Sequence, residues 1–208
     1  MTKLLTTLLI ILSNTLLAQD QIAKDVLDKL STTTKSYKNM TVGFDFIFEN
    51  KSQNIKDVQQ GTIVLQKESF RLEMQEQIII NDGESQWIYL ADMNEVQIME
   101  HDPEEEMMSP NKLFTIYEKG YKYTYVGAEA EKGKRLQVIA LFPEESGAFI
   151  KITLAVDAAK NQLHKIIMHD KNGGSYTYLV TSFKSNTNIA PFNFNAKDYP
   201  GVEVIDLR

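Results

Sequence analysis

The stretch FRLEMQEQIIINDGESQWIYLADMNEVQIM, residues 70–99, decides the fold of this chain. Apolar and polar residues alternate at its start, and two turn sequences interrupt it, Asn81-Asp82-Gly83 and Ala91-Asp92-Met93-Asn94. Asp-Gly between two apolar runs is a strong hairpin signal, because these residues tolerate the positive φ that a tight turn requires. The stretch therefore predicts three or four adjacent antiparallel strands.

Strand signals continue on both sides of this stretch. Upstream, apolar residues at every second position predict a strand over residues 42–48, and a second strand covers residues 61–66. Downstream, further strands are predicted over residues 121–125, 136–142, 149–156, 163–168, 176–183 and the end of the C-terminal tail. About eleven strands, with turns every eight to twelve residues or so, predict a mainly β domain, either a barrel or a sandwich.

Two short amphipathic helices are predicted outside the strands. The first covers residues 20–30 and places four apolar residues on one face, namely Ile22, Val26, Leu27 and Leu30. The second follows Ser109-Pro110, where serine is an N-cap and proline fits the first turn, and it ends at Gly120. This second helix either fills the core or, with its two leading methionines, forms an adaptable surface for apolar partners.

The N-terminus has the features of a secretory signal. A short basic start, an apolar run over residues 4–12 and the small Ala18 predict cleavage after Ala18, with an N-terminal membrane anchor as the alternative. Residues 19–208 are then predicted to form one domain. Cysteine is absent, which excludes disulfides and lipid attachment, and a net charge of −6 without a basic cluster argues against nucleic-acid binding.

The sequence offers no motif for catalysis or for a metal site. His164 and His169 lie five positions apart on one predicted strand, which puts them on opposite faces. His101 stands beside acidic residues that could bind calcium weakly, although a solvated acidic loop is favoured. Nucleophile motifs, phosphate-binding glycine loops and zinc-ligand spacings do not occur. The chain is therefore predicted not to be an enzyme and to need no cofactor.

The predicted sheet carries a large set of apolar side chains with no assigned role. They are Phe44, Phe46, Phe48, Phe70, Leu72 and Met74, with Trp87 and Tyr89 on the next strand. A sheet curved around such a face encloses either a filled core or a cavity for an apolar ligand. The residue pattern leaves both possibilities open.

A series of short motifs, in order along the chain, resembles the LolA family, the periplasmic carriers of outer-membrane lipoproteins. The motifs are Val42-Gly43-Phe44, Gly61 before Phe70-Arg71-Leu72, Asp82-Gly83 before Trp87-Ile88-Tyr89, Val96-Gln97, the helical insert at Pro110, and Pro200-Gly201-Val202-Glu203-Val204-Ile205-Asp206. The likeness covers essentially the whole mature chain, and the series is more specific than any one of its motifs.

The resemblance implies an incomplete, strongly curved antiparallel β-barrel of about eleven strands with an α-helical lid over an apolar cavity. The eight apolar residues named above would line that cavity. The lid would contain Met107, Met108, Leu113, Phe114 and Tyr117.

The function implied by the resemblance is that of a monomeric periplasmic carrier without a cofactor. It would take acylated lipoproteins from an inner-membrane release transporter to an outer-membrane acceptor, which is itself a lipoprotein and so differs from this cysteine-free chain. The alternative is a periplasmic lipid-binding or lipoprotein-sensing protein, because one fold can serve several functions.

The sequence departs from the family pattern at one turn. Gln66-Lys67-Glu68-Ser69 stands where the family usually has Arg-Pro before the aromatic residue, with Lys67 nearest the arginine position. Lysine is a mobile point charge, whereas arginine is a planar fork of donors. Either Lys67 or Arg71 is therefore predicted to contact the lid, over residues 107–117.

Overall fold

The structure is a computed structural model that describes residues 21–101 and 114–208. Within these residues it has one α-helix, α1, over residues 21–36. The strands are β1 Met40–Asn50, β2 Ile55–Gln66, β3 Ser69–Met74, β4 Gln77–Asn81, β5 Ser85–Leu90, β6 Glu95–Glu100, β7 Tyr121–Glu131, β8 Lys134–Pro143, β9 Phe149–Asp157, β10 Gln162–Asp170, β11 Gly174–Ser185 and β12 Glu203–Asp206. Two short 3-10 helices cover Ile116–Glu118 and Ala196–Asp198.

These strands form one sheet in the order β12-β6-β5-β4-β3-β2-β1-β11-β10-β9-β8-β7. Neighbours along the chain pair antiparallel from β2 to β6 and from β7 to β10, whereas β12 pairs parallel with β6. The sheet is open, because β12 and β7 are its edge strands. The predicted fold class, a mainly β chain with an incomplete barrel-type sheet, is confirmed, with twelve strands instead of about eleven.

The stretch over residues 70–99 forms β3 to β6, as its pattern predicts. At the first turn, Gly83 has a φ of +99°, and the Asp82 carboxylate accepts hydrogen bonds from the backbone N–H groups of Glu84 and Ser85 at 2.9 and 2.8 Å. At the second turn, Asn94 has a φ of +47°. Local turn chemistry therefore places four consecutive strands side by side.

The predicted helices need two corrections. Helix α1 continues to residue 36, beyond the predicted end at Leu30, and Ala23, Leu27 and Leu30 form its buried face, whereas Ile22 is exposed. Of the second predicted helix, the described part is the 3-10 helix Ile116–Glu118, which Gly120 follows with a φ of +79°. The remainder of that prediction, residues 109–113, lies outside the described residues. No helix among those described has the length and hydropathy to cross a membrane.

The chain divides into two compact units. The first contains the described residues of Met1–Thr34 together with Glu49–Ile55 and Tyr117–Thr177. Its core lies on one face of β8, β9 and β10, where cross-strand partners are fully buried, namely Ile139 with Leu154, Leu141 with Ile152, and Ile152 with Met168. The predicted signal peptide, residues 1–18, lies outside the described residues, and the single domain over 19–208 stays a prediction.

The second unit contains Lys35–Phe48, the described residues of Lys56–Ile116, and Tyr178–Arg208. Its strands include β3 to β6 and most of β1, β2 and β11. Most of the residues that the sequence predicts for ligand binding belong to this unit.

Candidate functional site: an apolar sheet face

The second unit contains a continuous apolar cluster. Its buried members are Met40, Val42, Phe44, Ile63, Leu65 and Phe70, and the partly buried members packed against them are Tyr37, Phe46, Leu72, Ile79, Phe114, Tyr178, Val180 and Phe183. We call these fourteen residues the apolar cluster. The partly buried members leave apolar surface exposed beside a closed core. An apolar ligand requires such a surface, because it binds by burying its own apolar surface against it.

Strand register explains how the cluster forms. In the antiparallel pairs, Leu65 lies opposite Phe70, Ile63 opposite Leu72, and Leu72 opposite Ile79. Residues directly opposite each other share a face of the sheet, and alternate residues along each strand return to it. Three neighbouring strands therefore contribute apolar side chains to the same face.

Aromatic rings join β1 to β11 within the cluster. The ring centroid of Tyr178 lies 5.7 Å from that of Phe44 and 5.1 Å from that of Phe46. A second pair, Tyr37 and Phe183, has centroids 5.5 Å apart. Burial raises the pKa of Tyr178, so its hydroxyl stays protonated.

Several of the predicted cavity residues lie in the cluster. Phe44, Phe46, Phe70 and Leu72 are members. Phe48 and Met74 are half-buried at alternate positions further along β1 and β3 but are not members. The ligand-binding role of all six stays a prediction.

The prediction for Trp87 and Tyr89 is wrong in its choice of sheet face. Ile88 lies opposite Ile79 and shares the face of the cluster, so its neighbours in β5 point to the other face. There the Tyr89 ring centroid lies 5.8 Å from that of Phe194 and 4.5 Å from that of Tyr199. The error arises because alternation fixes faces within one strand, whereas the register between strands decides which faces match.

Arg71 lies on the same opposite face and contacts the C-terminal part of the chain. It pairs across strands with Ile80, and its guanidinium donates hydrogen bonds to the carbonyl oxygens of Pro191 and Asn193 at 2.9 and 3.4 Å. We call residues 190–200 the C-terminal arm. Among the described residues, Arg71 contacts this arm and the Glu73 carboxylate, and its contact with the lid over residues 107–117 stays a prediction.

Lys67 stands exposed in the turn between β2 and β3, with a φ of +54°. Residues 102–113, which include the predicted lid residues Met107, Met108 and Leu113, lie outside the described residues. A contact between Lys67 and the lid therefore stays a prediction.

The described lid residues have different surroundings. Phe114 packs against the buried members of the apolar cluster, and its role as a lid residue stays a prediction. Tyr117, in the first unit, is buried near Ser31 and Thr34 of α1, and burial is the main cause that raises its pKa. The Ser31 hydroxyl donates a 2.7 Å hydrogen bond to the Glu118 carboxylate, which links the helix to the segment that carries Tyr117.

Nine members of the cluster are not among the residues that the sequence predicts for the cavity or the lid: Tyr37, Met40, Val42, Ile63, Leu65, Ile79, Tyr178, Val180 and Phe183. The alternation of apolar residues in β11 was a usable signal. It could not show that β11 pairs with β1, because the two strands are far apart in the sequence. Among the described residues, no three His, Asp or Glu side chains are grouped so that they could hold a metal ion.

Comparisons with known proteins agree with this architecture. A family model described as "Outer membrane lipoprotein carrier protein LolA" matches residues 35–197. An uncharacterized conserved protein from Thermus thermophilus is similar in structure, with a TM-score of 0.57 and 12% identity, over 88% of this chain and 98% of that one. LprF from Mycobacterium bovis has a TM-score of 0.51 and 11% identity, over 82% of this chain and 97% of that one.

A LolA superfamily protein from Nitrosomonas europaea, NE2245, has a TM-score of 0.46 and 14% identity, over 83% of this chain and 97% of that one. The first two structures support the fold alone, because their sequence identities are low. No curated protein matches the sequence.

Proposed function

This chain belongs to the LolA family of outer membrane lipoprotein carrier proteins, and we propose on that basis that it carries lipoproteins by holding their acyl chains against the apolar cluster. The observation that carries the proposal is the set of partly buried apolar side chains beside a closed core, with Phe114 packed on it. A rigid sheet supports the bound chain, and the side chains that remain partly exposed provide the contact surface.

The energetics of acyl chains make such a surface necessary. Each methylene group removed from water contributes about 0.8 kcal/mol. Exposing a sixteen-carbon chain to water therefore costs on the order of 12 kcal/mol, and the chain must be shielded to cross an aqueous compartment. The carrier supplies this shielding without covalent chemistry or a cofactor.

In this proposal the protein works in the periplasm. It receives lipoproteins from an inner-membrane release transporter and gives them to an outer-membrane acceptor, and it has no enzymatic activity. Family membership and the apolar cluster support this assignment.

The test is native mass spectrometry of the protein purified gently from a periplasm. We expect a one-to-one complex with triacylated lipoprotein. Adding outer membranes that contain the acceptor should remove the lipoprotein from this complex. Leu72→Asp places a charge on the apolar cluster and should abolish the complex. Val126→Asp is the matched control, because Val126 is 59% exposed and belongs to the other unit.

The outcomes separate the candidate functions. Loss of the complex in Leu72→Asp, with retention in Val126→Asp and with both variants folded, supports the carrier. A protein that carries only free lipid, or that binds lipoprotein and does not pass it on, favours the lipid-binding or lipoprotein-sensing alternative. Equal retention in both variants rejects the apolar cluster as the binding surface.

A further inference from the structure

The apolar cluster contains very few polar atoms. Of its fourteen side chains, only Tyr37 and Tyr178 carry one, in each case a phenol hydroxyl. Tyr37 lies against Phe183, whereas Tyr178 stands between Phe44 and Phe46. The Tyr178 ring, which carries its hydroxyl, is thus flanked by apolar groups.

That hydroxyl has no hydrogen-bond partner within residues 21–101 and 114–208. Tyr178 is one of the partly buried members of the cluster, so its side chain is not fully enclosed by the protein. A donor that is poorly hydrated and unpaired gains more from a new acceptor than a donor in water does. Its surroundings therefore favour a ligand that brings an acceptor into an apolar environment.

An acyl chain brings such an acceptor. Its hydrocarbon part matches the aromatic and aliphatic side chains, and its first carbon is an ester or amide carbonyl with oxygen lone pairs. We propose that the Tyr178 hydroxyl donates a hydrogen bond to this carbonyl oxygen, so that the apolar cluster selects acyl chains over alkyl chains of equal length. The proposal rests on the proposed function, because it specifies how the same surface recognises its ligand.

The experiment compares two synthetic lipopeptides with a fluorophore on the peptide. One carries two ester-linked chains on a glyceryl group, and the other carries the same number of chain carbons linked as ethers, which lack the carbonyl oxygen. Fluorescence anisotropy measures the dissociation constant of each for the full mature chain. We expect the ester to bind about fivefold more tightly, the effect of one ordinary hydrogen bond.

Tyr178→Phe removes the hydroxyl and keeps the ring that contacts Phe44 and Phe46. In this variant the affinity for the ester lipopeptide should fall to that for the ether lipopeptide, whereas the affinity for the ether lipopeptide should stay unchanged. Tyr125→Phe is the matched control, because the Tyr125 hydroxyl donates to Gln137 in the other unit and should not affect either ligand.

Each outcome decides the proposal. Equal affinity of the natural protein for ester and ether overturns it, even if Tyr178→Phe does not fold, and leaves the carrier function standing. An equal loss of both ligands in Tyr178→Phe also overturns it, because the residue is then only structural. Failure of the natural protein to bind either lipopeptide rejects the proposed function itself.

Discussion

The tip of the Phe44 ring lies against Gly61. A Cβ atom on Gly61 would lie 2.5 Å from Cζ and 2.9 Å from Cε2 of that ring, closer than carbon atoms approach without overlap. The absence of a side chain at this position in β2 therefore leaves room for the tip of the Phe44 ring, whose centroid lies 5.7 Å from that of Tyr178. One glycine thus helps to shape the apolar cluster.

Gly61→Ala should displace the Phe44 ring. Overpacking of this kind costs about 1 to 3 kcal/mol in the free energy of unfolding, which urea denaturation measures. Gly147→Ala is the control, because nothing lies within 4 Å of a Cβ there, and we expect a change within about 0.5 kcal/mol. Equal stability of the two variants would show that Phe44 moves aside without cost.

Arg71→Met should loosen the C-terminal arm. It removes both guanidinium hydrogen bonds to the carbonyl oxygens of Pro191 and Asn193. Hydrogen bonds to a charged group contribute about 1.5 to 3 kcal/mol, and partial exposure of Arg71 reduces this, so we expect about 1 to 2 kcal/mol. Faster hydrogen exchange over residues 190–200 is the readout.

The control for the arm is Lys67→Met. Lys67 is the other cation predicted to hold the lid, and it stands exposed in the preceding turn. Its replacement should leave exchange in the arm unchanged. Hydrogen exchange in the arm of Arg71→Met could instead match that of the natural protein. The aromatic contacts of Phe194 and Tyr199 would then be sufficient to hold the arm in place.

The sequence predicts β3 to β6 well because their order depends on local chemistry. Asp82 and Gly83 form a tight turn whatever surrounds them, so neighbouring strands become spatial neighbours. The apolar alternation of β1 likewise predicts which side of that strand carries Phe44 and Phe46.

Long-range pairing is what the sequence does not reveal. Tyr178 joins the apolar cluster because β11 pairs with β1, and the Ser182 hydroxyl accepts a 3.2 Å hydrogen bond from the Gly43 backbone N–H across 139 positions. The same limitation explains why the sequence predicts the wrong sheet face for Trp87, since the register between β4 and β5 decides which face carries its side chain.

Trp87 provides a direct test of that face. It is the only tryptophan in the chain, so fluorescence excited selectively in tryptophan reports on its surroundings alone. Because its side chain lies on the face opposite Leu72, we expect saturation with the labelled lipopeptide to leave its emission maximum unchanged. Trp87→Phe should likewise retain the affinity of the natural protein. A blue shift of the emission maximum on binding would mean that Trp87 contacts the ligand, which would contradict this prediction.

His164 should make the first unit less stable in mild acid. The side chain is buried, with Nδ1 3.2 Å from Nζ of Lys134 and Nε2 3.5 Å from Oε1 of Glu131, which Lys165 also contacts at 2.7 Å. Burial, followed by the Lys134 charge, lowers the pKa of His164 below its ordinary value of 6.5, although Glu131 opposes the shift.

The sign of the pH dependence follows from where the proton binds. Between pH 6.5 and the lower folded-state pKa, His164 is protonated in the unfolded chain but stays neutral in the folded chain. The free energy of unfolding therefore falls as the pH falls. Chemical denaturation at pH 7.5 and 5.5 measures this slope. His164→Gln should make the slope shallower without abolishing it, because burial also lowers the pKa of His169.

Lys134→Met supplies the complementary test, because it removes the like charge nearest His164 and keeps the imidazole. With that repulsion gone, the folded-state pKa of His164 moves back towards 6.5, and less stability is lost on acidification. The slope between pH 7.5 and 5.5 should therefore lie between those of the natural protein and His164→Gln. A slope identical to that of the natural protein in both variants would assign the acid sensitivity to other groups.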